Sequence, residues 1–148
     1  MVFQTKSAQE TAALGKKLFR SLEGYDVVVL EGALGGGKTT FIKGLMAAAG
    51  FKGRVLSPTF TLLRQYKTKK FLFCHVDLYR LDSEHLEGWG LEDLLYASNV
   101  ITLIEWGEKI EKTLDRYIKI VFEHAGKDRR RIKFSVKGYK KDKLTCLV

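Results

Sequence analysis

The chain has one proline, Pro58, and two cysteines, Cys74 and Cys146, among 148 residues. So few cysteines build no disulfide framework. With Cys74 inside an apolar run and Cys146 near the end, they read as two free thiols of a reducing compartment. No apolar run approaches the ~20 residues of a bilayer span, and the first residues hold no signal-peptide core. The expectation is a cytoplasmic protein without membrane contact. Internal repeats, zinc-ligand spacing and low-complexity linkers are also missing, which excludes solenoids, zinc modules and disordered tails. An apolar share of 45% over this length describes one globular domain, residues 1–148, large enough for a real core.

Acidic charge is scarce toward the end. Residues 109–148 carry thirteen Lys and Arg against five Asp and Glu, whereas residues 1–108 are nearly balanced at thirteen against twelve. The asymmetry fits an acidic partner, an RNA or a solubilising surface alike.

What is abundant is glycine, and it is concentrated. Gly32-Ala33-Leu34-Gly35-Gly36-Gly37-Lys38-Thr39 follows the apolar run Val27-Val28-Val29-Leu30 and satisfies G-x-x-x-x-G-K-[ST]. Glycines permit positive φ and let a backbone approach a ligand closely. Their N–H groups can converge on phosphate oxygens beside the positive end of the next helix, predicted over 39–49. In this pattern Lys38 bridges the β- and γ-phosphates, and the Thr39 hydroxyl ligates Mg²⁺.

Around that loop the pattern alternates strands and helices. Residues 7–22 form an amphipathic helix with Ser7 and Glu10 as a capping box. Within residues 53–60 a short strand precedes Pro58, which fixes a turn; Thr59 there is either a switch threonine near a γ-phosphate or an ordinary turn residue. Residues 61–66 and 71–76 flank a basic turn as a hairpin. The second of these runs ends in Asp77, at the strand end where open α/β sheets bind ligands. His75, two residues earlier, is either a satisfied core histidine or a hydrogen-bond partner nearby. Arg80 neutralises phosphate charge or pairs with an acid.

Residues 83–89 and 91–97 read as short helices. Residues 99–105 form an apolar strand ending in a carboxylate, Glu105, that can face the loop and ligate Mg²⁺. Trp106 is a core cover or a lid. Residues 117–123 and 131–136 alternate as two antiparallel strands, and the stretch beyond Gly138 is a third short strand or a frayed end.

Four motifs, Gly32-x-Leu34-Gly35-x-Gly37-Lys38-Thr39-Thr40, Ser57-Pro58-Thr59-Phe60, His75-x-Asp77-Leu78-Tyr79-Arg80-Leu81 and Glu105-Trp106, closely resemble the TsaE (YjeE) ATPase family. Their order and spacing match over nearly the whole chain. The resemblance implies an ATPase supporting threonylcarbamoylation of the adenosine beside the anticodon in tRNA, docking on a TsaB–TsaD pair and touching tRNA only indirectly or weakly. It implies ATP and Mg²⁺ as cofactors. Gly35, Gly36, Gly37, Lys38, Thr39 and Thr40 would hold the nucleotide, and Thr39 and Glu105 would ligate the metal. Lys38, Asp77 and Thr59 would support hydrolysis, with Trp106 and Glu108 near the nucleotide. Ala33 departs from the family, which usually has an acidic residue there.

The rival is a small-molecule P-loop kinase, which needs an acceptor subdomain and a lid with clustered arginines; Arg129-Arg130-Arg131 is the one cluster here. A regulatory GTPase lacks its Asn-Lys-x-Asp. The expected fold is an α/β P-loop NTPase-like three-layer sandwich with a mixed, largely parallel sheet and an antiparallel C-terminal hairpin.

Overall fold

Val27–Glu31 carries four branched or long apolar side chains in a row, a pattern suited to a strand covered on both faces. In the computed structural model it is β2, fully buried over its first four residues at the middle of a seven-stranded sheet. The structure describes residues 1–82, 90–95 and 97–148. The helix expected at 83–89 lies outside them.

Across the sheet the order is β1 (Val2–Thr5), β7 (Arg130–Lys137), β6 (Tyr117–His124), β2, β5 (Val100–Glu105), β4 (Leu72–Asp77) and β3 (Leu63–Lys67). The centre, β6-β2-β5-β4, is parallel, while β1, β7 and β3 join antiparallel at the two ends. The mixed α/β sheet and the C-terminal hairpin are as expected. In the centre, Leu30 of β2 and Asp77 of β4 both pair with Glu105 of β5. Three strand ends therefore finish level.

Two helices, α1 (Ala8–Phe19) and α2 (Lys38–Ala48), cover one face, burying Leu18, Phe41, Ile42 and Leu45 against Val28, Leu30 and Leu103. On the other face α3 (Leu91–Leu95) and short 3-10 turns at Gly107–Lys109 and Glu111–Thr113 shelter Val27, Val29, Val76 and Ile104. The Ser7 hydroxyl accepts the Glu10 N–H at 3.1 Å, while the Glu10 carboxylate accepts from Lys6 N rather than from Ser7, a shifted capping box.

Three expectations are corrected. Residues 53–57 form no strand, because the Tyr66 hydroxyl binds both the N–H and the carbonyl of Leu56 and replaces a neighbouring strand. The end of the chain is a 3-10 helix, Lys141–Leu147, which buries Leu144 and Leu147 three residues apart. The first residues, read as no element, form edge strand β1 on β7.

The crossing of α1 and α2 is built on two glycines. A Cβ on Gly15 would sit 2.1 Å from the Phe41 carbonyl oxygen, and one on Gly44 2.0 Å from that of Ala12. Backbone meets backbone there, so neither neighbour can yield without moving a helix. Gly15→Ala and Gly44→Ala are each expected to lower unfolding free energy by about 1–3 kcal/mol in urea titrations. Unchanged midpoints would mean the helices separate at little cost.

Candidate functional site

Leaving β2, the chain turns at Gly32 with φ 142°, where a Cβ would lie 2.7 Å from the Phe122 carbonyl oxygen. Only glycine fits that approach. The loop closes through a Gly36 N–H to Ala33 carbonyl bond of 2.9 Å. Gly37, left-handed at φ 107°, starts α2. Lys38 is 5% exposed; its ammonium donates to the carbonyls of Gly32 at 2.5 Å and Ala33 at 3.1 Å. Nζ also lies 5.1 Å from the centre of the Trp106 ring. Burial pushes the Lys38 pKa down, and the carboxylates of Glu105, Asp77 and Glu108 push it back up. The lysine is thus held by the loop it serves.

Two buried acids end the neighbouring strands. His75 donates Nε2–H to Glu105 Oε1 at 2.9 Å, and neither residue is more than 4% exposed. Asp77 accepts the Thr59 hydroxyl on Oδ2 and the Tyr79 N–H on Oδ1, both at 2.8 Å. Thr59 in turn lies 2.8 Å from the Ser57 hydroxyl, so the turn around Pro58 is tied to the end of β4. Lys109 fastens the next segment: its ammonium donates to the carbonyls of Leu78, Tyr79 and Leu81. The Arg80 guanidinium lies 4.5 Å from the Phe60 ring centre, and no acid among the described residues pairs with it.

These groups surround an open cavity of about 660 Å³, lined by Gly35, Gly36, Gly37, Lys38, Thr39, Thr40, Thr59 and Glu105. That is a volume suited to a small ligand. Asp77 does not line it but binds Thr59, which does. Trp106, half-buried in the left-handed region at φ 59°, stands beside Lys38 with its ring tilted against that of Tyr79, and its indole N–H has no partner among the described residues. Glu108 is exposed and does not line the cavity, although its charge reaches Lys38. Lys6, Ser7, Gln9, Asp128 and Arg130 also line the cavity, and sequence reasoning did not place them there.

Chemically, the wall offers loop amides, a helix start and a buried ammonium, all suited to an anion. Beside them stand the Thr39 hydroxyl and the Glu105 carboxylate, hard oxygen donors of the kind Mg²⁺ prefers. No group of three His, Cys, Asp or Glu among the described residues could hold a metal alone. A cation here would complete its shell from ligand and water oxygens, as Mg²⁺ does beside phosphates.

The His75–Glu105 pair generates a test. His75→Leu is expected to cost about 1–3 kcal/mol in chemical denaturation, because the buried carboxylate loses the one side-chain donor it has among the described residues. A variant of unchanged stability would show that something else holds Glu105.

Comparison with known proteins identifies a family. The family model described as "Threonylcarbamoyl adenosine biosynthesis protein TsaE" matches residues 5–132. The chain is 37% identical over 137 residues to the tRNA threonylcarbamoyladenosine biosynthesis protein TsaE of Bacillus subtilis, covering 92% of this chain and 85% of that one. To the protein of the same name from Treponema pallidum it is 44% identical over 114 residues, covering 76% and 83%. The crystal structure of YdiB from Bacillus subtilis superposes with a TM-score of 0.80 at 31% identity, over 99% of this chain and 90% of that one. The glycine loop, the level carboxylates and the sheet that carries them are therefore those of a member of the TsaE family of threonylcarbamoyladenosine biosynthesis proteins.

Proposed function

We propose that this protein binds ATP with Mg²⁺ and hydrolyses it as an accessory of tRNA threonylcarbamoylation, acting on a TsaB–TsaD complex. The observation that carries the reading is the convergence of the glycine loop, Lys38, Glu105 and Thr59 on one cavity at the level ends of three parallel strands. Loop amides and Lys38 take the phosphate oxygens; Thr39 and Glu105 hold the metal. Bound Mg²⁺ supplies neutralisation of the charge that builds on the phosphates. Asp77 fixes Thr59, whose hydroxyl lies at the wall where a water can be aligned with the γ-phosphorus. In-line attack of that water breaks the bond to the β-phosphate oxygen and yields ADP and inorganic phosphate.

Support for a protein partner comes from the rim. Leu34 of the loop is 65% exposed and Phe60, next to Thr59, 81%. Apolar side chains so placed are suited to being covered by another protein. The basic tail suits a weak contact with tRNA: of its surplus of eight positive charges, the described acids outside it reach only Lys119, through Glu31, and Lys143, through Glu23 and Asp26. No helix among the described residues is long and apolar enough to cross a membrane.

The test is ATP hydrolysis by the purified protein, alone and with TsaB–TsaD, with and without tRNA. Stimulation by the protein pair is expected, with Lys38→Ala and Glu105→Ala reducing turnover to background and Lys38→Ala also weakening ATP binding. If either variant turned over normally in the full assembly, the site assignment would be wrong. Phosphate transfer to a metabolite, without stimulation by the pair, would replace this reading with a kinase.

A further inference from the structure

The β6–β7 hairpin brings a second cation to the phosphate loop. Arg130 opens β7 on the side of Ile132 and Phe134, the face that α1 and α2 cover, whereas Arg131 points to the opposite face. Because β6 runs parallel to β2, with Val121 beside Glu31, the hairpin tip lies against the loop that leaves β2. Arg130 donates Nε–H to the Gly36 carbonyl at 3.1 Å and Nη2–H to the Gly35 carbonyl at 3.3 Å. Its Nη1 donates to the carbonyls of Arg129 and Lys127 at the tip.

Two consequences follow from that geometry. A peptide unit is planar, so a guanidinium that grips two successive carbonyls sets the orientation of the 35–36 and 36–37 units, and with them the Gly37 N–H. A guanidinium has five N–H donors; four are accounted for, and the fifth, on Nη2, belongs to a side chain that lines the cavity. No carboxylate among the described residues pairs with Arg130, so its charge at the wall is met by backbone carbonyls alone.

We infer that Arg130 is a phosphate-binding and loop-positioning residue supplied by the same chain: it fixes the Gly35 and Gly36 peptides and offers its remaining donor and charge to the di- or triphosphate tail of a nucleotide in the cavity. This rests on the ATP reading above. A lysine replaces it only in part, since an ammonium has three N–H donors against the guanidinium's five and cannot hold the loop carbonyls, the hairpin tip and a ligand together.

The experiment is calorimetric titration of the full chain with Mg-ATP, Mg-ADP and AMP, comparing wild type with Arg130→Gln, Arg130→Lys and, as a control on the same hairpin, Arg131→Gln. Thermal unfolding without ligand is measured alongside. Arg130→Gln is expected to weaken ATP and ADP by about tenfold or more, the range of a lost charge-assisted bond. AMP should change by less than about twofold, and the unliganded melting temperature should hold. Arg130→Lys should restore only part of the affinity, and Arg131→Gln should match wild type.

Equal binding of ADP by wild type and Arg130→Gln overturns the inference, as does an equal loss for ADP and AMP. If Arg130→Gln melts early, Arg130→Lys at full stability decides, and wild-type affinity there overturns the fork argument. A wild-type protein that binds none of the three nucleotides overturns the ATP reading itself.

Discussion

The register of the central parallel strands is the constraint on which the rest depends. Because Leu30, Glu105 and Asp77 end level, the chain leaving β2 as the glycine loop emerges beside two carboxylates carried by the next two strands. A slip of one residue would turn each side chain to the other face of the sheet. Glu105 would then lose His75, and Asp77 would lose Thr59. The apolar alternation that fills the two faces of the sheet therefore also aims the polar groups, so core packing and site geometry share one determinant.

Burial sets the electrostatics of the site. Lys38 is drawn out of water, which disfavours its charge, and it is compensated by two backbone carbonyls and three carboxylates. An ammonium in those surroundings interacts more strongly with an added anion than one in bulk water would. Holding it against the Gly32 and Ala33 carbonyls also keeps it in place, so little side-chain freedom is left to lose when a ligand arrives.

Much of this was legible in the residues. The glycine loop, the apolar strand before it and the Ser7 cap are local signals, and the structure places each where the pattern does. The level acids were legible as strand-terminal carboxylates, Asp77 and Glu105. The misses share one cause. The edge strand Val2–Thr5 has four residues and a partner about 130 positions away, so nothing local announces it. Leu144 and Leu147 looked like strand alternation broken by charge, whereas their spacing of three is that of a 3-10 turn packed on the core. Arg130 was visible as one of three arginines, but which of them reaches the loop depends on the pairing of β6 with β2, a long-range fact. His75 was read as a core histidine or a nearby hydrogen-bond partner and is buried as the first and bonded as the second; its partner, thirty residues on, is the part no spacing revealed.

The place of β1 bears on how the molecule is made. Its partners lie at Arg130, Arg131, Ile132 and Lys133, and the segment following it, Lys6 to Gln9, forms one wall of the cavity. During synthesis that wall cannot be set until the other end of the chain has emerged, and such distant pairings are slow to form. A nascent or truncated copy can carry an intact glycine loop and still lack a finished pocket. Closure of that wall is thus coupled to the pairing of β1 with β7, although the loop and the first strand lie far from β7 in sequence.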